Sequence, residues 1–214
     1  MIGRRLPVYL VLDTSGSMTG VGIESVRNGV ELLLSELRNN PTALETAWMS
    51  VITFSATAQQ VVPLTPLDQF VAPELNASGP TAFGAALRVA MESIKREVTK
   101  TTAEMKGDWK PLIFIMTDGA PTDADWEKAA DEFRMSRPGN VIACAAGAQA
   151  DEAVLKKVAD TVLKITNLGA DSFAAFFKWV STSIAVASQK TAQGPAAGAP
   201  VTLPPPPPQI SIVP

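Results

Sequence analysis

Residues 7–17 read Pro-Val-Tyr-Leu-Val-Leu-Asp-Thr-Ser-Gly-Ser. The first six, Pro7–Leu12, form an apolar run of the kind carried by a strand that is covered on both faces. The next five set an acid and two hydroxyls at alternate positions, Asp13, Ser15 and Ser17, where that strand gives way to a loop. One negative and two neutral hard oxygens on so short a loop suit Mg²⁺ or Ca²⁺ rather than zinc or copper. A cation held this way, with a coordination position left for a partner's carboxylate, is a binding device rather than a catalyst.

Outward from this strand, apolar runs alternate with helical patterns. Ile23, Val26, Val30, Leu33, Leu34 and Leu37 recur at helical spacing, and Asn39-Asn40-Pro41 stops that helix. Thr46–Ser55 reads as a second strand. Gln59–Leu64 reads as a third, paired with it as a hairpin, because Ser55–Ala58 is too short for a parallel crossover. Thr65–Pro80 is loop-like, and Phe83, Leu87, Met91, Ile94 and Val98 mark the next helix. Thr99–Lys110 is a polar connection, and Leu112–Met116 suits a central parallel strand. Trp126, Ala129, Ala130 and Phe133 face a helix, Asn140–Ala146 is a strand, and Asp151–Ala159 is a short helix opened by acids. Val162–Ile165 is the last strand, and Phe173, Phe176, Phe177, Val180 and Ile184 face the last helix. The alternation predicts an α/β fold: a doubly wound, mostly parallel, Rossmann-like sheet with one antiparallel edge strand and helices on both faces.

That pattern fills residues 1–189 as one domain. Residues 190–214 hold eight of the 17 prolines, five of them consecutive at Pro204–Pro208. Such a tail cannot build a core, and it is expected to be either disordered with a stiff polyproline stretch or a partner-docking peptide. In the second case Ile210-Ser211-Ile212 adds a strand to a partner's sheet edge, or the prolines enter an aromatic groove.

Composition narrows the chemistry. The 214 residues are 46% hydrophobic, enough for one sizeable core. A net charge of −3 with no basic run offers nothing to nucleic acid. The absence of histidine excludes Ser-His-Asp and Cys-His catalysis and His-ligated zinc. The single cysteine, Cys144, lies in an apolar stretch and reads as a small buried hydrophobe, with a reactive thiol as the alternative. No apolar run approaches the ~20 residues of a membrane span, and no signal-peptide pattern follows Arg4-Arg5. A cytoplasmic protein is the expectation.

In open α/β sheets ligands bind beyond the carboxyl ends of the strands, where strand order reverses. Three loops should meet there: Asp13–Ser17, Ser78-Gly79-Pro80-Thr81, and Thr117-Asp118-Gly119-Ala120-Pro121-Thr122-Asp123. Together they supply hydroxyls and two carboxylates. The carboxylates roughly balance a 2+ ion, while the neutral hydroxyls leave it electrophilic.

These segments resemble the von Willebrand factor A (VWA) domain and its metal-ion-dependent adhesion site, whose pattern is Asp-x-Ser-x-Ser, a distant Thr, and an Asp in a Thr-Asp-Gly context. Asp13, Ser15, Ser17, Thr81 and Asp118 meet it. The resemblance implies Mg²⁺ (Mn²⁺ or Ca²⁺ in its place) bound directly by Ser15, Ser17 and Thr81. Asp13 and Asp118 would bind it directly or through water. Thr81 would engage most closely once a partner's Asp or Glu completes the ion. Leu64-Thr65-Pro66-Leu67, Lys106–Pro111, Met116–Asp123 and Phe176–Ser181 look like the compact bacterial branch of tellurium-resistance, TerY-like proteins. That likeness implies a stress-response protein working beside a protein kinase and a PP2C-type phosphatase.

Among the remaining residues, Phe83 and Trp109 are candidates to border the metal face and touch the partner. Trp126 is expected to cover a helix end. Asp123 and Asp125 are expected to cap the helix that follows them, with support of the metal as the alternative. Asp108 reads as a solvated turn residue or a ligand for a second ion. A phosphoryl-transfer enzyme is the competing function. It lacks a Gly-rich Lys loop, a second acid at position 15 and a lysine near Thr117–Asp123.

Overall fold

The computed structural model describes residues 4–166, 169–192 and 203–213. Seven strands form one sheet: β1 (Leu6–Asp13), β2 (Ala47–Phe54), β3 (Ala58–Pro66), β4 (Leu112–Thr117), β5 (Asn140–Ala146), β6 (Thr161–Ile165) and β7 (Ile210–Ile212). The helices are α1 (Val21–Arg38), α2 (Pro41–Thr46), α3 (Phe83–Glu97), α4 (Trp126–Ser136), α5 (Glu152–Val158) and α6 (Ala170–Ala192). Strand order is β3-β2-β1-β4-β5-β6-β7. β2, β1, β4, β5 and β6 run parallel. β3 is the antiparallel edge expected of the hairpin, and β7 adds a second antiparallel edge on the far side.

The doubly covered sheet follows from the strands' composition. Every residue of β1 and of β4 is buried. Leu6, Val8, Leu10 and Leu12 face one core with α1 and α6, while Tyr9 and Val11 face a second with α3, α4 and α5. Gly29 lets α1 and α6 meet closely, since a Cβ there would lie 2.0 Å from the Phe177 ring. Cys144 is fully buried between these elements, as its apolar setting predicted, and burial pushes its thiol pKa up.

Two expectations are corrected by tertiary packing. Asn39-Asn40-Pro41 does stop α1, but it also starts α2: Asn40 Oδ1 accepts from Ala43 N at 3.0 Å, with Pro41 in the first turn where a missing N–H costs nothing. The tail is not free where it is described. Residues 203–213 lie against the protein's own β6 and α6, with Ile210 in the core. The expectation for residues 193–202 lies outside the described residues.

Candidate metal centre

β1 and β4 are neighbours in the sheet, and the chain crosses to opposite sides after each of them, so the switch point falls between their carboxyl ends. Asp13 ends β1 and Thr117 ends β4. The Ser78–Thr81 loop is laced to the loops after β1 and β4 by main-chain bonds. Gly16 N donates to Gly79 O (2.8 Å), Ser78 N to Thr14 O (2.9 Å) and Thr122 N to Thr81 O (2.9 Å). Gly79 adopts a left-handed φ of 76°, which a glycine takes without the clash that a Cβ would bring, and so lets the loop turn back over Gly16.

The side chains converge on the point these loops enclose. Asp13 Oδ1 accepts from Ser15 N (2.7 Å), closing a tight turn, and Oδ2 accepts from Thr117 Oγ1 (2.5 Å). Ser15 Oγ and Ser17 Oγ share a hydrogen bond at 3.0 Å, and Ser17 Oγ donates to Asp118 Oδ1 at 2.6 Å. A Cβ on Gly119 would stand 3.6 Å from Thr81 Oγ1 and 4.0 Å from Ser17 Oγ, so Thr81 belongs to the same cluster. All five residues predicted from the sequence are therefore brought together. Thr117, which orients Asp13, and Thr122, whose Oγ1 accepts from Thr81 N at 2.9 Å, complete the frame. Thr117 was open to discovery through register, because β4 lies beside β1; Thr122 carries no periodic signal.

Both carboxyl groups of this cluster sit where burial disfavours their charge. Burial raises the pKa of Asp13, and hydrogen bonds from Ser15 and Thr117 only partly oppose it. Burial likewise raises Asp118, opposed by Ser17. Neither carboxylate forms an ion pair among the described residues. Nor do three or more His, Cys, Asp or Glu form a group that could hold a metal ion among them. Three hydroxyls and two carboxylates without a cationic side chain are a donor set that a hard divalent ion fits. Bound there, the ion would offer positive charge to an incoming carboxylate.

The two aromatic partner candidates sit elsewhere. Phe83 is 1% exposed and packs edge-on against Phe54 in the core. Trp109 precedes β4, hence lies at the amino end of the sheet, opposite the cluster. There the Arg4 guanidinium covers its ring at 4.0 Å. The rim of the cluster is instead small and open: Ser17, Gly20, Pro80 and Ala120 are exposed, and Val21 is 61% exposed. Beside it, Thr14, Thr53, Thr57, Glu74 and Asn76 help line a polar pocket of about 230 Å³.

Three acids also depart from expectation. Asp123 and Asp125 cap nothing in their own helix α4. Asp123 Oδ2 accepts from Ala85 N in the first turn of α3 (3.0 Å), and Asp125 pairs with Arg88 of α3 (2.7 Å). Both therefore fasten the Asp118 loop to the helix that follows Thr81. Asp108 is no solvated turn residue; it is buried in an ion pair with Arg5. Trp126 is half-buried at the start of α4, as predicted.

A family model described as the von Willebrand factor type A domain matches residues 8–178. Among solved structures, a von Willebrand factor type A protein from Catenulispora acidiphila superposes with a TM-score of 0.65 at 18% identity, covering 86% of this chain and 43% of that one. The pilus adhesin SpaC from Lactobacillus rhamnosus GG, in an open conformation, gives 0.67 at 15%, covering 87% and 31%. Proximal thread matrix protein 1 from the mussel byssus, in a form with a zinc-occupied MIDAS motif, gives 0.61 at 18%, covering 84% and 48%. At such identities the likeness is one of fold, and this chain spans less than half the length of each of these three. No curated protein matches it.

Proposed function

This chain belongs to the von Willebrand factor type A domain family, and on that premise we propose that it is a Mg²⁺-dependent protein-interaction module whose ion is completed by a partner's Asp or Glu. The observation that carries this reading is the cluster itself: two buried carboxylates and three hydroxyls, on three loops, with no cationic side chain among the described residues paired to the acids. Asp13, Ser15, Ser17, Thr81 and Asp118 would hold the ion. Two acids neutralise it on paper, and the hydroxyls leave it able to attract a third. The zinc-occupied motif of the mussel relative supports a divalent ion in this position, with Mg²⁺, Mn²⁺ or Ca²⁺ as the hard-oxygen choices here.

As a binding module the protein needs no general base, which suits a sequence with no histidine and no lysine within Thr117–Asp123. The finer assignment rests on the segments shared with the TerY-like branch. It makes the protein a cytoplasmic component of a tellurium-resistance or stress response, scaffolding a protein kinase and a PP2C-type phosphatase.

Calorimetric titration of Mg²⁺ into the protein and into Asp13→Ala tests the site. Capture of partners in Mg²⁺ against EDTA tests its use. Saturable Mg²⁺ binding lost in Asp13→Ala, with capture abolished by EDTA, is the expected result. Partner capture that persists in EDTA would overturn the reading.

A further inference from the structure

β6 would be an open sheet edge but for the tail. Ile165, Lys164 and Leu163 pair with Ile210, Ser211 and Ile212, and Val213 N donates to Val162 O at 2.9 Å. Upstream, the Trp179 indole N–H donates to Pro204 O at 3.0 Å. Pro204, Pro205, Pro207 and Gln209 then form one wall of an apolar groove of about 410 Å³, whose other wall is the Lys178–Trp179 face of α6. Two modes of peptide recognition are thus used at once. One is an aromatic helix face whose indole donor reads a proline carbonyl, and the other is addition of a strand to a sheet edge.

The hold is slight. β7 has three residues, Ser211 and Ile212 are exposed, and only Ile210 is fully buried. We propose that the α6/β6 surface is a docking site for a partner peptide made of a proline run followed by a β-branched strand, and that the chain's own residues 203–213 are its tethered, displaceable occupant. A tethered occupant competes at an effective concentration of about a millimolar, so a partner must exceed it in contacts. Charge shows how. Lys178 makes no ion pair among the described residues, and the tail sets the neutral Gln209 in the groove it lines. A partner with an acid at the Gln209 position gains a contact that the tail lacks. β6 also offers Thr161 beyond the residues that 210–213 engage.

The test places a specific protease site within residues 193–202 of the full chain, cuts it, and follows a labelled peptide of sequence 203–213 by anisotropy. The cut tail should leave on gel filtration, and the labelled peptide should bind saturably in its place. Binding to the uncut chain should be far weaker. Trp179→Phe in the protein, or Ile210→Asp in the peptide, should weaken binding, and Gln209→Glu in the peptide should tighten it by about two- to fivefold at low salt. Three outcomes would overturn the proposal: a cut tail that never exchanges, loss of the circular dichroism of the fold on cutting, or binding indifferent to both weakening substitutions. Concentration-dependent dimers of the uncut chain in light scattering would assign the site to a second copy instead, and so also overturn it.

Discussion

Asp118 and Asp13 differ in how much of the fold leans on them. Both oxygens of Asp13 are engaged, by Ser15 N and by Thr117 Oγ1, whereas Asp118 accepts from Ser17 through one oxygen. An amide at 118 keeps an acceptor for Ser17 and removes a charge that burial disfavours. Asp118→Asn is therefore expected to melt in EDTA at or slightly above the temperature of the unmodified protein, while losing the rise in melting temperature that millimolar Mg²⁺ produces. A rise that survives in the variant would remove Asp118 from the ligand set. Thr122 acts one step back. Its hydroxyl is the acceptor for Thr81 N, so Thr122→Val leaves a part-buried donor unmet, at about 1–2 kcal/mol. Urea unfolding should register that loss, and calorimetry should register weaker Mg²⁺ binding, with Thr122→Ser restoring both. The five candidate ligands stand out in the sequence because their spacing and loop context are distinctive. Of the residues that orient them, Thr117 follows from the register of β4 beside β1, whereas Thr122, a hydroxyl in a polar loop, has no period to mark it. Phe83 is instructive: its spacing to Leu87 and Ile94 already put it on the core face of α3, and proximity in sequence to Thr81 was the weaker signal.

Elements were legible where burial imposes a pattern. β5 falls on residues 140–146 as predicted, and α1 and α3 carry the apolar faces that placed them. α2 escaped because a six-residue helix is too short to show a period, and β7 went unplaced because its three residues are fixed by their partner in the fold. The alternation at Ile210–Ile212 did mark a strand, but no sequence pattern says whose edge it joins. Packing of α1 on α6 is similarly invisible until the two are placed together. Gly29→Ala puts a methyl group 2.0 Å from Phe177 Cδ2, against a ring buried in the core, so the helices must part. The gain in helix propensity does not offset that overpacking, and a net loss of about 1–3 kcal/mol is expected. Thermal denaturation measures it, and the Mg²⁺-dependent shift should persist on top of the lowered baseline.

The whole molecule divides its two ends between different tasks. Parallel strands send all their carboxyl ends one way, so the loops after β1 and β4 share a face, and the candidate metal centre occupies it. The amino ends share the opposite face, which is closed by charge. Arg5 meets Asp108 through Nε at 2.8 Å and Nη2 at 2.5 Å, Asp108 also accepts from Thr99 N, and Arg5 lies 4.8 Å over the Trp48 ring. Chain direction alone places Trp109 on this closed face, because it enters β4 rather than leaving it. The Arg5–Asp108 pair is sheltered, at 21% and 6% side-chain exposure. Breaking it leaves a guanidinium with little water to replace its partner, at about 3 kcal/mol. Asp108→Asn should therefore lower the unfolding free energy by that order. Its Mg²⁺ affinity should stay within about twofold of the unmodified protein's, because the site lies beyond the far ends of β1 and β4, well over a Debye length away at physiological salt. Asp118→Asn should do the reverse, sparing stability and removing Mg²⁺ binding. Parallel chemical denaturation and calorimetry on the two variants decide the matter. If Asp108→Asn weakened Mg²⁺ binding as strongly as it weakened the fold, the two faces would be coupled through the sheet rather than assigned separate tasks.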